Sequence, residues 1–178
     1  EKITNAPLME VGPGLKSGVR IRMDNPAQLG GELLCAAVGA LQTHKPPLLV
    51  MNMDTAATLV AVDAEGSIVG GVILPSPALS LSALVRNTAQ LPQIDIAAPT
   101  SAISTNTVDC MRSGTVYGTA AMIDGMVARF QQELGQPATV VITGGLGAAI
   151  AKYCTVDAVV DRDLLLDGLR IVYQKNQK

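Results

Sequence analysis

Residues 48–62 read LLVMNMDTAATLVAV, an apolar run, a polar corner at residues 52–55, and a second apolar run. The second run ends before a turn in which Asp63 and Gly66 occupy the favoured end positions. Apolar runs bounded by such turn residues are typical of β-strands. The segment therefore predicts two strands joined by a tight polar turn.

The polar corner of this segment has two possible explanations. Small hydroxyl and amide side chains at a strand-to-strand corner leave backbone N–H groups free to bind an anion. An ordinary β-hairpin corner would contain the same residue types, and short motifs are weak evidence when they stand alone. The segments on either side of the corner therefore have to decide between these explanations.

Composition limits the class of protein. The chain has 178 residues, of which 48% are apolar, so it can bury one sizeable core or two small lobes that share one. Its net charge is −2 without a basic cluster, and its aromatic content is 2%, which argues against a nucleic-acid surface. No apolar run approaches the roughly 20 residues of a membrane helix, and no signal peptide is recognisable. We expect neither nucleic acid nor a membrane as a partner.

The few cysteine and histidine residues also narrow the class. Cys35, Cys110 and Cys154 lie far apart without a Cys-x-x-Cys pair, and His44 is the single histidine. This pattern argues against a structural zinc site or a disulfide scaffold and favours a reducing, cytoplasmic location. The sequence begins at Glu1 rather than at a methionine, so we expect that an upstream part is missing.

Glycine and proline residues predict loops and turns near the beginning of the chain. Residues 11–18 read VGPGLKSG, which fits either a loop that approaches a ligand closely or a simple connector. Residues 19–23 alternate apolar and basic side chains and predict a half-exposed strand. Residues 24–26, Asp-Asn-Pro, then predict a turn that leads into a helix.

The helix predicted next spans residues 27–42, where Leu and Ala recur at helical spacing. Gly30 and Gly31 cost about 1 kcal/mol each inside a helix, so we expect them to form a loop before the helix proper. Glu32 would then lie at the helix N-terminus. Its carboxylate could serve the helix dipole or could be presented to a substrate as a base, and both roles remain open.

Beyond the corner, the pattern alternates strands and helices. Residues 66–75 predict a strand whose glycine pair, Gly70 and Gly71, indicates a bulge or a close approach of another backbone or of a ligand. Residues 78–90 predict a helix that ends before Pro92. Residues 94–107 are rich in Ala, Ser, Thr and Asn and predict a loop.

The last third of the chain predicts three further helices and one strand. A long helix begins near residues 105–107, where hydroxyl capping explains the polar run, and ends at Gly135. Residues 138–142 predict a buried strand that runs into the glycine loop 143–147 and an alanine-rich helix. A strand, a glycine loop and a helix N-terminus together favour phosphate binding, although this loop is neither a Walker nor a dinucleotide motif. Residues 161–174 predict a closing helix.

Several short segments together carry a family resemblance. In chain order they are residues 11–18 (VGPGLKSG), 24–26 (DNP), 70–75 (GGVILP), 91–92 (LP), 106–107 (NT), 113–118 (SGTVYG), 143–145 (TGG) and 166–169 (LDGL). They occur in the order seen in type III pantothenate kinases, which belong to the superfamily of sugar and acetate kinases, Hsp70 and actin. The chain resembles that family over nearly its whole length from Val11.

The resemblance implies a fold and a division into domains. It implies an α/β, ribonuclease H-like fold of the actin and sugar-kinase type, with a mixed sheet and flanking helices, whose N-terminal lobe is largely missing. Residues 1–23 would be a residual segment of that lobe, and residues 24–178 would form a C-terminal kinase-like domain.

The resemblance also implies an activity. Type III pantothenate kinases phosphorylate pantothenate with ATP, which is the first step toward coenzyme A, using Mg²⁺ and a monovalent cation (K⁺ or NH₄⁺). Family members commonly dimerise with the pantothenate pocket near the interface. The resemblance therefore implies a homodimer, or a heterodimer with a kinase paralogue or with an N-terminal fragment.

The pantothenate site implied by the resemblance lies at the start of the first helix. The family's Gly-Ala-Asp-Arg motif binds pantothenate, and its aspartate is the general base. The matching residues here are Gly30, Gly31, Glu32 and Leu33. The resemblance thus makes Glu32 the catalytic residue, and Thr107, whose counterpart contacts pantothenate, a further substrate-binding residue.

The ATP and cation sites implied by the resemblance lie at the corner and at the glycine loop. The family's Asp-Phe-Gly-Thr-Ala-Thr-Thr motif matches residues 52–58, so Asn52 stands at the monovalent cation position and Asp54 at the glycine position. Thr55, whose counterpart faces ATP, is retained. Gly144 and Gly145 complete the implied ATP-binding residues.

Three departures from the family pattern weaken these sites. Leu33 replaces an arginine that would make a bidentate fork to a carboxylate. Asn52 offers a neutral oxygen where a cation favours an anionic one. Asp54 adds negative charge where triphosphate would approach.

Three hypotheses follow from these departures. The chain is a working kinase with an altered site that an N-terminal part completes, or a degenerate subunit of a true kinase. The third alternative is a small-molecule binder that has lost phosphoryl transfer. We expect little catalysis by this chain alone.

Overall fold

The computed structural model describes residues 8–12 and 14–177, which form a mixed five-stranded sheet with helices on both faces. The strands are β1 (Leu48–Met53), β2 (Ala56–Val62), β3 (Ile68–Pro75), β4 (Thr139–Thr143) and β5 (Ala158–Val160). The helices are α1 (Gly31–Thr43), α2 (Pro77–Asn87), α3 (Thr107–Leu134), α4 (Gly147–Ala151) and α5 (Leu164–Asn176), and a 3-10 turn spans Pro26–Gln28.

The strand order across the sheet is β3-β2-β1-β4-β5. The first three strands form an antiparallel meander because their connections are too short for a crossover. Strands β4 and β5 extend the sheet in parallel, next to β1. The two strands and the tight turn predicted for residues 48–62 and the strand predicted for residues 66–75 are thus confirmed, and β1 lies at the centre of the sheet.

Side chains of β1 alternate between two cores, one on each face of the sheet. Leu48 and Val50 pack with α1 and α5, whereas Leu49 and Met51 pack with α3 and α4. Since successive residues of a strand point to opposite faces, Asn52 continues the face that α1 covers. The polar side chain of Asn52 therefore lies at the end of the apolar core on that face, beneath the start of α1.

Two glycines allow α1 and α5 to pack closely. A Cβ on Gly39 would overlap the carbonyl oxygen of Leu164, and a Cβ on Gly168 would overlap that of Cys35. Backbone contact of this kind is open only to residues without a side chain. The close packing fixes α1, and with it the residues at the N-terminus of α1, against the sheet.

The long helix α3 begins and ends as the sequence predicts. Asn106 caps it by accepting a hydrogen bond from the backbone N–H of Asp109, 2.9 Å away. Gly135 ends it in the left-handed conformation, with φ +70°. The start and the stop of this helix are therefore local properties of the sequence.

Asp124 ties the middle of α3 to the segment before β5. Its carboxylate accepts hydrogen bonds from the backbone N–H groups of Thr155 and Val156 at 2.9–3.0 Å. Burial opposes ionisation of Asp124, but these hydrogen bonds outweigh it and lower the pKa of the carboxyl group. Burial, helped by the charge of Asp124, raises the pKa of the Cys154 thiol to about 11, so that this thiol stays protonated.

Some predicted elements differ from the structure. Residues 19–23 do not form a strand, because only Ile21 makes an isolated bridge, to Ile68. The loop expected before the helix is confirmed at Gly30, which is the N-cap, and the helix starts after a 3-10 turn at Gly31, one residue earlier than expected. Strand β5 was not predicted from the sequence. The bulge indicated by Gly70 is confirmed, since the β2–β3 register shifts between Ala61 and Val62.

Candidate active site

A cleft of about 870 Å³ opens where the start of α1, the β1–β2 corner and the glycine loop after β4 meet. Six of the residues that were selected from the sequence line it: Gly30, Glu32, Leu33, Asn52, Thr55 and Gly145. These residues come from three separate parts of the chain. They converge because β1 and β4 are parallel neighbours whose carboxyl ends lie at the same edge of the sheet.

Glu32 lies in the first turn of α1 and is solvent-exposed. Its Oε1 accepts a hydrogen bond from Nδ2 of Asn52 at 2.5 Å, across 20 residues of chain. The carboxylate therefore faces the sheet edge as well as the helix N-terminus. This position is compatible with both roles considered for Glu32, the partner of the helix dipole and the base in the cleft.

Asn52 is the last residue but one of the buried strand β1, and it lines the floor of the cleft. It is 5% exposed, and its Oδ1 has no hydrogen-bond partner among the described residues. Its neighbours on the adjacent strands are Thr58 of β2 and Thr143 of β4, both buried. The Thr58 hydroxyl is likewise without a partner in the described part of the chain. Three polar side chains thus form a row beneath Glu32, and two of them have unused hydrogen-bonding capacity.

Asp54 connects the corner to the glycine loop. Its Oδ1 accepts a hydrogen bond from the backbone N–H of Gly145 at 2.9 Å, and Leu146 N–H donates to the carbonyl of Met53 at 3.2 Å. Gly144 has φ +92°, and a Cβ there would lie 2.6 Å from Asn52 Oδ1. The loop therefore needs glycine at this position, and a carboxylate of the chain already accepts one of its N–H groups.

Thr55 is exposed at the tip of the corner, and its carbonyl accepts a hydrogen bond from the Ser76 hydroxyl at 2.9 Å. Ser76 is fully buried and also caps α2 by accepting from Leu79 N–H. Ser76 was not selected from the sequence, although the Ser-Pro pair before the helix is an N-cap signal that could have identified it. Ser76 holds the corner against the start of α2.

Thr107 lies in a different cleft from the other predicted site residues. It lines a space of about 420 Å³ between α2 and α3, together with Met111, Gly114 and Gly118. Gly114 and Gly118 are exposed, and a Cβ on either would meet no atom of the described residues within 4 Å. Within one copy of the chain, Thr107 and Glu32 thus line separate spaces.

The metal sites implied by the resemblance fit these residues to different degrees. The described residues contain no group of three His, Cys, Asp or Glu side chains that could ligate a metal. At the monovalent position, Asn52 offers a single neutral oxygen, which does not fit a cation that needs several oxygen ligands. Mg²⁺ places fewer demands on the protein, since phosphate oxygens and water supply most of its ligands at nucleotide sites.

The length and the apolar character of the helices decide whether one of them could cross a membrane. Among the described residues, no helix has both the length and the apolar character that crossing a membrane requires.

The architecture defines the class of fold. The mixed five-stranded sheet with flanking helices is an α/β, ribonuclease H-like fold of the actin and sugar-kinase type. The structure is similar to that of a Campylobacter jejuni protein described as a Baf family transcriptional activator, with a TM-score of 0.58 and 22% sequence identity. That similarity covers 86% of this chain and 68% of the other.

Sequence comparison then gives the family. The family model for type III pantothenate kinase matches residues 1–129, and the chain belongs to this family. It is 41% identical to the type III pantothenate kinase of Exiguobacterium sibiricum, over 94% of this chain and 66% of that relative. It is 42% identical to the enzyme of Myxococcus xanthus and 43% identical to that of Rhodospirillum centenum, with the same coverage. The chain thus spans just under two thirds of the length of these curated relatives.

Proposed function

We propose that this chain provides the pantothenate base and the phosphate-facing loop of an ATP-dependent pantothenate kinase. The observation that carries the proposal is the convergence of Glu32 and the loop at Gly145 in one cleft of about 870 Å³. A phosphotransferase needs this combination, since a base must act on one substrate while N–H donors stabilise the phosphates of the other. Membership of the type III pantothenate kinase family supports pantothenate and ATP as these substrates.

In the proposed reaction, the Glu32 carboxylate accepts the proton of the pantothenate hydroxyl. The hydroxyl oxygen forms a bond to the γ-phosphorus of ATP, the bond from that phosphorus to the bridging oxygen breaks, and ADP leaves with the electron pair. For this step, a Glu32 oxygen has to come within about 2.6–3.2 Å of the hydroxyl oxygen. Exposure of Glu32 at the cleft leaves its second oxygen open for such a contact.

The phosphate groups would approach the corner and the glycine loop. Thr55 offers a hydroxyl there, and the glycine loop faces the same cleft at Gly145, whose backbone N–H would have to be released by Asp54 before it could bind phosphate. Mg²⁺ bound to the phosphate oxygens would neutralise charge that develops during transfer. Asp54 opposes this arrangement, since its carboxylate occupies the Gly145 N–H and repels phosphate.

Two departures lower the rate that we expect. The extra methylene of Glu32 displaces the carboxylate by about 1 Å relative to an aspartate, which can cost on the order of a hundredfold in rate. Leu33 makes no charge-assisted contact to pantothenate, and such a contact is worth roughly 1.5–3 kcal/mol. We therefore propose that the chain alone has little turnover and needs the N-terminal lobe of the family, to which residues 1–23 would belong, beside the domain of residues 24–178.

We also propose that the functional form is a cytoplasmic dimer. The exposed glycines of α3 border the cleft that contains Thr107, and this surface would allow close packing of a second chain. A dimer formed there offers a route by which Thr107 of one copy could contribute to pantothenate binding in the other. The partner would be a second copy, a kinase paralogue or an N-terminal fragment.

A second candidate function is that of a catalytically degenerate subunit that binds pantothenate or nucleotide beside a true kinase. The hydrogen bond between Asp54 and Gly145 favours it specifically, because the loop N–H is occupied by the chain itself. In this alternative, the cleft retains its shape and loses phosphoryl transfer.

A turnover assay distinguishes the two functions. Phosphopantothenate formation from ATP would be measured for the wild-type chain with and without the N-terminal lobe of a family member, beside Glu32→Ala. The proposed kinase predicts turnover only with the lobe, and predicts its loss in Glu32→Ala. Turnover that is unaffected by Glu32→Ala would contradict the proposed role of Glu32.

The same assay tests the alternative. A degenerate subunit predicts no turnover with the lobe, together with stable co-sedimentation of this chain with an active family member. Absence of both turnover and such a complex would reject both kinase-subunit functions.

A further inference from the structure

The hydrogen bond between Glu32 and Asn52 determines where the exposed carboxylate lies. An ionised carboxylate only accepts hydrogen bonds, so the Asn52 amide must present its Nδ2 to Glu32. Its Oδ1 is then directed toward Gly144, where the lack of a side chain leaves room for it. The amide therefore has one orientation that fits both of its neighbours.

Burial makes Asn52 a rigid partner. The side chain is 5% exposed and stands near the end of the central strand, between Thr58 and Thr143 on the adjacent strands. Glu32, in contrast, belongs to the exposed first turn of a helix, where a long side chain samples several rotamers. The buried amide thus restricts a carboxylate that would otherwise be mobile.

The two residues also match each other in length and in charge. An aspartate at position 32 would withdraw the carboxylate by about 1 Å and stretch the 2.5 Å contact beyond good hydrogen-bonding distance. An aspartate at position 52 would place two carboxylates side by side, and two such groups at this distance cannot both ionise freely. A change at either position alone therefore removes the contact or makes it repulsive.

We propose that Asn52 is a positioning residue that holds the Glu32 carboxylate over the cleft, and that the two side chains form a matched pair. The pairing rests on the contact alone, whereas its importance for proton transfer rests on the proposed kinase function. It follows that Asn52→Asp, taken alone, impairs the protein and that a compensating change at position 32 rescues it.

A double-mutant cycle on thermal unfolding tests the pairing without any assay of turnover. Midpoints would be measured at pH 7.5 for the wild type, Asn52→Asp, Glu32→Gln and the double variant. We expect Asn52→Asp to lower the midpoint by about 3 °C or more in the wild type. In the Glu32→Gln background, Asn52→Asp should change the midpoint little, because the amide introduced at position 32 can donate a hydrogen bond to the new carboxylate at position 52. Asn87→Asp makes the same chemical change on exposed helix α2, and its effect should be equal in both backgrounds.

Turnover in the presence of the N-terminal lobe tests the positioning role. Asn52→Ala retains Glu32 but removes the donor, so we expect kcat to fall about tenfold with KM changed less than about twofold. The double variant Asn52→Asp with Glu32→Gln should be stable and inactive. A second double variant, Asn52→Asp with Glu32→Asp, should have a higher turnover than Asn52→Asp alone.

Two results would overturn the inference. One is an Asn52→Asp effect on the midpoint that is the same in both backgrounds, and the other is an unchanged kcat in Asn52→Ala. Absence of wild-type turnover with the lobe would instead reject the proposed kinase function, and the unfolding cycle would still decide whether the pair exists.

Discussion

At the scale of single residues, the proposed function makes Asp54 the residue that would control the access of phosphate to the glycine loop. Its carboxylate accepts the Gly145 N–H and fixes the loop to the corner, while its charge repels an incoming anion. The hydrogen bond and the charge have opposite consequences for nucleotide binding, because the first preserves the shape of the loop and the second opposes its ligand. A substitution that separates them is therefore informative.

Asp54→Asn keeps an oxygen that can accept the Gly145 N–H and removes the charge. Since two unit charges 4 Å apart in water interact by about 1 kcal/mol, we predict that ATP binds roughly fivefold more tightly to this variant. Titration calorimetry at low and at high salt would measure the effect, which should shrink at high salt. Asp109→Asn, on the first turn of α3, is the control and should leave ATP affinity unchanged. Equal or weaker binding by Asp54→Asn would show that its charge does not limit nucleotide access.

At the scale of elements, the packing of α1 against α5 sets the position of Glu32. Helix α5 contacts α1 through Gly168, whose neighbour across the interface is the backbone of Cys35, one turn after Glu32. A rigid interface without side chains between the two backbones leaves α1 little freedom to shift. The location of the candidate base thus depends on a glycine far from the cleft in sequence.

Gly168→Ala should be strongly destabilising, by about 3 kcal/mol or more, since the new methyl group overlaps a backbone oxygen that cannot move aside. Gly125→Ala in α3 is the matched control, because its Cβ would meet only the flexible side chain of Arg129, and it should be neutral or stabilising by up to about 1 kcal/mol. Equilibrium unfolding in urea would give both values. Similar stabilities for the two variants would contradict the close packing of α1 and α5.

The Asp124 contact between α3 and the segment before β5 should be visible in the pH dependence of stability. Its pKa in the folded state lies below the ordinary value of 3.8, so the contribution to stability is present above that pH and is lost as the pH falls through the folded-state pKa. We predict that the thermal midpoint of wild type exceeds that of Asp124→Asn by a constant amount above about pH 5. The difference should shrink below pH 3.8. A difference that is the same at pH 3 and pH 7 would exclude this role of the carboxylate.

The elements that the sequence predicted correctly are those set by local signals. The β1–β2–β3 meander follows from apolar runs separated by turn residues, and α3 follows from its Asn106 cap and its left-handed Gly135. Strand β5 has three partly exposed residues, and its identity comes from pairing with β4 rather than from its own pattern. A non-local pairing of this kind leaves little trace in the sequence around it.

The sequence predicts which residues form the candidate site, but it does not predict which of them contact one another. The corner and the glycine loop were selected from their polar and glycine content, and the structure brings both to one cleft. The bond between Asp54 and Gly145 joins residues 91 positions apart, so only the parallel pairing of β1 with β4 explains it.

At the scale of the whole molecule, the surface between α2 and α3 suggests how copies would associate. Gly114 and Gly118 are exposed on one stripe of α3, beside the cleft that contains Thr107. Small residues let a partner helix approach closely. The proposed dimer would cover this stripe and bring Thr107 to an interface.

We predict a dimer in sedimentation velocity at micromolar concentration, with this surface in the interface. Gly118→Arg should shift the protein to monomer, because a long charged side chain would occupy the space of the partner helix. Its folding should be unaffected, since a Cβ at this position meets no atom within 4 Å in the part of the chain that the structure describes. Gln174→Arg, at an exposed position of α5 on the opposite face of the sheet, is the control for an added arginine. A wild-type monomer that also forms no complex with a family member would contradict the proposal.

We propose that four positions of the cleft limit phosphoryl transfer in this member of the pantothenate kinase family. The direct test is ATP-dependent phosphopantothenate formation, in the presence of a family N-terminal lobe, by the wild type and by a variant with the family residues. The substitutions of that variant are Glu32→Asp, Leu33→Arg, Asn52→Asp and Asp54→Gly. We predict that it exceeds the wild type by about a hundredfold or more, since a better placed base and a restored arginine act together. Robust wild-type turnover that equals that of the variant and disappears in Glu32→Ala would contradict the claim and establish an active kinase with a glutamate base.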